Sequence, residues 1–166
     1  MEEHIKLNPF DNNFIIGAIK VPAKKAIYNY FKDNYGIEIE NYKTIIPDKV
    51  LIPHNYKMGY GCILNYGCVL APYVELGNMV YINRQVSIGH HTKIGDFTTV
   101  NPGVNIAGCC QIGENVTIGI GANIVDGITI GNNSIIGAGS LVTKDVPANV
   151  VVYGVPAKII REINND

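Results

Sequence analysis

Every sixth residue from Ile52 to Val142 is aliphatic, an unbroken series of sixteen positions that runs through Leu64, Leu76, Ile88, Val100, Ile112, Ile124 and Ile136. The residue after each is mostly small or turn-forming, as at Gly59, Asn65, Gly77, Asn83, Gly89, Gly95, Gly113, Gly119 and Gly137. Two residues before each sits a second column of mostly small side chains, among them Cys62, Cys68, Val86, Thr92, Cys110, Ser134 and Ser140. A period of six fits neither the helical repeat of about 3.6 nor the strand alternation of about 2.0. It fits a short strand followed by a turn, with three such units closing a triangular coil and the coils stacking as rungs. Residues eighteen apart are then vertical neighbours at strand spacing, ~4.8 Å, and the run makes about five coils. A series in phase over sixteen steps leaves no room for an inserted loop unless its length is a multiple of six.

The ends follow other patterns. Residues 13–18 read as a strand, Pro22 to Asp33 as a helix opened by proline in its first turn, and Ile37–Tyr42 as a second strand. Residues 1–48 are therefore expected to form a small α/β cap, residues 49–156 the solenoid, and residues 157–166 a short helix and tail beginning near Pro156. Both ends would cover strand edges that a solenoid otherwise exposes. The expected class is mainly β.

Composition narrows the function. A chain of 166 residues that is 47% hydrophobic can fill a real core. A net charge of −1 without a Lys/Arg run argues against a nucleic-acid surface, which needs clustered cations. The start MEEHIK has no apolar leader, and no apolar run approaches ~18 residues, so no membrane partner is expected and the chain reads as cytoplasmic. Three of the four cysteines fall in the small-residue column, where they act as apolar fillers.

The stretch QVSIGHHTKIGDF, residues 85–97, sets two histidines side by side. The period places His90 at a coil corner with Gly108 one rung further along that corner and His54 two rungs before it. His54 and His4 read as solvated polar residues.

The segment from Ile88 to Lys158 resembles the hexapeptide-repeat acyltransferases, left-handed parallel β-helices, and among them the nucleotide-sugar N-acetyltransferases and sialic acid O-acetyltransferases. The resemblance implies that His90 is a general base, that Asn83 helps place the acceptor or the base, and that the Gly108 N–H meets the thioester carbonyl. It also implies that Ile120, Ala138 and Lys158, with Gly108 and the Gly154, Pro156, Ala157 run, hold coenzyme A, and that His91 and Thr99 face the substrate. The implied reaction is direct attack of an amino-sugar amine, on a nucleotide-linked acceptor, upon acetyl-CoA in a slot between the subunits of a homotrimer. No metal takes part. The alternative is O-acetylation of a sugar or serine hydroxyl.

This chain departs from the family in three places. His91 stands where the family has Asp or Glu to orient the base, and Thr99 where it has a second histidine. Only Gly17 remains of the glycine-rich turn that binds the nucleotide, so that group is held by other surfaces or is absent from the acceptor. His91 cannot supply a negative charge, which leaves a backbone carbonyl or another side chain as the orienter. Asp96 belongs to the repeat and reads as structural. A zinc enzyme of the γ-carbonic anhydrase type would need three converging histidines, which adjacent His90 and His91 and distant His54 do not offer.

Overall fold

The computed structural model describes residues 13–17 and 21–163. Fifteen strands of two residues each, from β1 (Lys57–Met58) to β15 (Leu141–Val142), begin six residues apart. They stack in three parallel sheets, β1-β4-β7-β10-β13, β2-β5-β8-β11-β14 and β3-β6-β9-β12-β15. The register is eighteen residues throughout, as in Lys57↔Glu75, Tyr81↔Thr99 and Ser87↔Asn105. The second residue of each strand points inward, and Leu64, Ile82, Ile88, Val100, Ile118 and Ile136 form one continuous buried column system with the small residues of the corners. The first sheet turns Lys57, Glu75 and Lys93 outward, where they pair at 3.4 and 3.6 Å. Such exposed pairs contribute little stability and mark this face as solvated.

The corners explain the non-aliphatic columns. The third residue after each of β1 to β14 adopts a left-handed backbone, with positive φ at Tyr73, Met79, Gln85, His91, Phe97, Cys109, Asn115 and Asn133 and at Gly61, Gly67, Gly103, Gly121, Gly127 and Gly139. Cys62, Cys68 and Cys110 fill the interior beside these turns and are buried. Burial pushes the Cys62 thiol up to about 11, and its sulfur donates to the Gly77 carbonyl at 3.0 Å.

At the N-terminal side, α1 (Val21–Tyr35) covers the predicted helix and extends slightly past it. The two expected strands beside it do not form. Residues 13–17 carry a single bridge, Phe14↔Tyr42, and Ala18 and His4 lie outside the described residues. Ile39–Asn41 is a 3₁₀ turn, in which Asn41 Oδ1 accepts the Glu38 N–H at 3.0 Å. The local side-chain hydrogen bond competes successfully with a ladder that has one neighbour only.

Lys24 ties this cap to the solenoid. Its Nζ, in a residue 2% exposed, donates to the carbonyls of Met79 at 3.0 Å and Thr98 at 3.1 Å. Burial lowers its pKa from 10.5 to about 7. The folded value lies below the unfolded one, so between about 7 and 10.5 the unfolded chain holds a proton that the folded chain does not. Stability from this group therefore rises with pH across that window. The denaturation midpoint, followed through the helical circular dichroism of α1, is expected to climb from pH 7 towards pH 10 and to do so less steeply in Lys24→Met. Equal slopes in the two proteins would refute this account.

The C-terminal end is not a helix. β16 (Val150–Gly154) joins the second sheet beside β14 (Ile135–Ile136), and β17 (Ala157–Glu162) returns antiparallel against β16. Ile159 and Ile160 satisfy helical spacing in isolation, but the free edge of β16 offers β17 a full row of backbone partners. The last coil is also shorter, since Ile130 bridges Val146 and Ile136 pairs Val152, sixteen residues on. Among the described residues no helix is long and apolar enough to cross a membrane.

Candidate active site

β6 (Ser87–Ile88) leads into the corner Gly89-His90-His91-Thr92, and β7 (Lys93–Ile94) leaves it. Thr92 is fully buried and stitches the rungs together, donating to the Ala107 carbonyl at 2.9 Å and accepting the Cys110 N–H at 3.2 Å. The His91 N–H donates down to the Pro72 carbonyl at 3.1 Å, and the His90 carbonyl accepts from Cys109 N–H above at 2.8 Å. Both backbones are thus fixed while both imidazoles stand exposed.

The two rings meet. His90 Nδ1 and His91 Nδ1 are 3.1 Å apart, with the ring planes at 85°. The left-handed φ of 58° at His91 turns its side chain back beside His90 rather than away from it. Tyr73, one rung below, stacks on the His91 ring at 4.7 Å and 27°. His91 is thus the side chain nearest to His90 Nδ1, the neighbour that the sequence left open.

The other nitrogen of His90 faces the next rung. A Cβ on Gly108 would sit 2.8 Å from His90 Cε1, 2.9 Å from Nε2 and 3.0 Å from Asp126 Oδ1. The glycine leaves a slot with imidazole on one side and carboxylate on the other. At equivalent corner positions the backbone N–H is taken by a side chain one rung up: Asn78 N–H by Asp96 Oδ1 at 2.7 Å, and Glu114 N–H by Asn132 Oδ1 at 2.9 Å. Among the described residues nothing accepts the Gly108 N–H. Asp96, read from the sequence as structural, has this turn-locking role. Asp126 was missed, although it lies thirty-six residues after His90 in the same column; the period alone could have found it.

The remaining predicted residues lie elsewhere. Asn83 follows β5 (Tyr81–Ile82) at the corner between the second and third sheets, nearly buried, with its Oδ1 accepting the Arg84 N–H at 2.9 Å. Ile120, 54% exposed, and Ala138 lie two and three rungs further along that same corner. The β16–β17 hairpin lands on it, with the Gly154 N–H donating to Ser140 Oγ at 3.3 Å and Lys158 exposed on β17. Within one chain, then, His90, His91 and Gly108 occupy one edge of the third sheet, and Asn83, Ile120 and Ala138 the other. Thr99 belongs to neither edge; it is 1% exposed in β8 (Thr99–Val100) on the second sheet, which does not bring it to His90. Among the described residues no three His, Cys, Asp or Glu side chains could hold a metal ion together.

Comparison with known proteins agrees with this architecture. Residues 109–144 match the family model described as bacterial transferase hexapeptide (six repeats). The chain is similar in structure to PerB from Caulobacter crescentus, solved with CoA and GDP-perosamine, with a TM-score of 0.84 and 25% identity, covering 90% of this chain and 70% of that one. This chain is a left-handed β-helix built on hexapeptide repeats. The hexapeptide-repeat β-helix is also similar to WeeI from Acinetobacter baumannii, with a TM-score of 0.84 and 26% identity over 93% of this chain and 74% of that one. The acetyltransferase domain of PglB from Neisseria gonorrhoeae, solved with acetyl coenzyme A, shares the fold at 23% identity and a TM-score of 0.84, over 93% and 73% of the two chains. Galactoside O-acetyltransferase of Escherichia coli is 65% identical over 26 residues, a match spanning 16% of this chain and 13% of that relative.

Proposed function

We propose that this hexapeptide-repeat β-helix is an acetyl-CoA-dependent N-acetyltransferase acting on the amine of a nucleotide-linked amino sugar. The observation that carries the reading is the slot at Gly108, where an imidazole nitrogen, an unengaged backbone N–H and a carboxylate converge. Acyl transfer from a thioester needs a proton acceptor for the nucleophile and a donor for the developing oxyanion. The amine attacks the thioester carbonyl as His90 Nε2 takes its proton, and the Gly108 N–H holds the oxyanion. Collapse forms the amide and expels the coenzyme A thiolate, which the His90 imidazolium reprotonates. The similarity to PerB, whose structure contains CoA and GDP-perosamine, supports both co-substrates.

Asp126 favours an amine over a hydroxyl. An alkyl amine arrives mostly as ammonium at neutral pH, and the Asp126 carboxylate at the slot attracts that cation, which gives its extra proton to water before the free amine attacks; a hydroxyl offers it nothing comparable. The separation of the two corners supports a shared site. A second copy presenting its Asn83, Ile120 and Ala138 corner to the His90 corner of the first would complete the coenzyme groove, and this head-to-tail contact closes as a ring of three.

The test is thiol release from acetyl-CoA over matched amino and hydroxy sugars, free and nucleotide-linked, with sedimentation at the same protein concentration. Amino acceptors are expected to react, a trimer to sediment, and Asp126→Asn to lower kcat/KM for amines about tenfold, the scale of one lost charge interaction. Faster transfer to the hydroxy sugars would replace this reading with O-acetylation, and a fully active monomer would remove the shared groove.

A further inference from the structure

An imidazole paired with a carboxylate has its hydrogen-bond direction settled by charge, because the carboxylate only accepts. An imidazole paired with a second neutral imidazole does not. Across the 3.1 Å Nδ1···Nδ1 contact one ring donates and the other accepts, and the two choices have opposite consequences for His90. If His91 donated, His90 Nδ1 would hold a lone pair and Nε2 would carry the ring proton into the Gly108 slot, where it could take nothing from a nucleophile. If His90 Nδ1–H donates to His91 Nδ1, Nε2 keeps its lone pair towards the slot. The second arrangement also survives proton uptake, since the imidazolium still presents an N–H to His91 Nδ1. The first would then set two N–H groups against each other.

We propose that His91 is a positioning residue: a neutral imidazole, wedged by the Tyr73 ring, that accepts the His90 Nδ1–H and so fixes His90 in the tautomer whose Nε2 is free to act as a base. Three features of the corner serve this arrangement. The left-handed turn delivers His91 Nδ1 to the contact. The stack of Tyr73 on His91 restrains the ring rotation that would withdraw the nitrogen. Cys109 Sγ also reaches Nδ1, at 3.9 Å, a longer and weaker contact than the 3.1 Å one to His91, and Asp126 Oδ1 lies by the Gly108 slot, 3.0 Å from a Cβ position that is 2.9 Å from Nε2. The pair thus does with geometry what a carboxylate does with charge. The kinetic part of the test rests on the acetyl-transfer reading, whereas the tautomer itself is measurable on the free protein.

Two substitutions separate the roles. His91→Phe keeps a ring for Tyr73 to stack upon and removes the acceptor; Phe97 and Tyr73 occupy the same left-handed position elsewhere, so an aromatic residue is tolerated there. His91→Asn keeps an acceptor, with Oδ1 near the place of Nδ1, and asparagine accepts a left-handed backbone readily, as at Asn115 and Asn133. Nitrogen-15 NMR of histidine-labelled full-length protein, assigned with single-histidine variants, reports which ring nitrogen carries hydrogen. The wild type and His91→Asn are expected to show His90 protonated at Nδ1 and bare at Nε2, and His91→Phe to shift it towards the Nε2–H form. A wild-type His90 protonated at Nε2, or a tautomer unchanged in the Phe variant, would overturn the proposal whether or not acetyl transfer is observed. In the kinetic arm, kcat is expected to fall ~10–100-fold in His91→Phe, part of the worth of a general base, with KM for acetyl-CoA unchanged and activity restored in His91→Asn. His91→Glu, at a position where Gln85 shows a long side chain fits, adds a charge that favours the imidazolium. It is expected to move the acidic loss of kcat/KM to higher pH, which His91→Asn does not. Equal rates in the Phe and Asn variants would refute a positioning role while leaving acetyl transfer itself intact.

Discussion

His90→Ala is expected to lower kcat for acetyl transfer by ~10²–10⁴-fold, the range a general base contributes, while KM for acetyl-CoA stays within about twofold. The separation of the two parameters follows from where the side chain stands. The imidazole is exposed at the corner, and the backbone hydrogen bonds of the corner, including that from Cys109 N–H to the His90 carbonyl, need no side chain. The buried threonine that stitches the rungs, Thr92, also remains. The corner therefore keeps its shape, and the loss registers as missing proton transfer. Steady-state kinetics with acetyl-CoA and an amino-sugar acceptor measure it, and a variant within threefold of wild type would assign the base to another group.

The second large effect comes from replacing one hydrogen atom by a methyl group. Gly108→Ala inserts a Cβ 2.8 Å from His90 Cε1 and 3.0 Å from Asp126 Oδ1, closer than such contacts normally come. Both neighbours are exposed side chains that can swing outward, and Gly108 has no left-handed φ that a Cβ would strain. The fold is expected to hold, with Tm within about 2 °C of wild type, the low end of the ~2–4 °C that 1 kcal/mol shifts a chain of this size. The slot is what is lost. A methyl group in the space where base, oxyanion donor and carboxylate converge displaces the reacting atoms by the order of an ångström, enough to cost ~10²-fold in rate. Activity near wild type in a folded Gly108→Ala protein would mean that the chemistry happens elsewhere.

The solenoid was legible because its core is a column system. Once Ile88, Ile106 and Ile124 share a period, the sheet, rung and neighbours of every residue between them follow. Gly108 beside His90 was read from that arithmetic. Two things were not legible. The local pattern of Ala157–Glu162 is compatible with helix, and only the unpaired edge of β16, a product of the finished coil, makes it a strand. The direction of His91 depends on a left-handed φ that tyrosine, methionine, glutamine, phenylalanine and cysteine also adopt in this chain, so no residue type announced it. For Thr99, family correspondence suggested a substrate contact, while the stacked neighbours Tyr81 and Thr117 show it to be part of a covered sheet face.

The eighteen-residue register makes the His90 corner an address in modular arithmetic. Removing a whole coil beneath Gly89 would lower His90 by one storey and leave it facing the same compass direction, with Gly108 and Asp126 still overhead. Removing six residues would leave the core equally well filled but rotate everything above the cut by a third of a turn. The histidine would then look out over a different side of the prism, and any neighbour supplying the rest of the groove would meet the wrong wall. Length changes in such a chain are therefore neutral for folding in steps of six and neutral for the site only in steps of eighteen, so a lineage of these proteins can grow or shrink without losing its chemistry only by whole storeys.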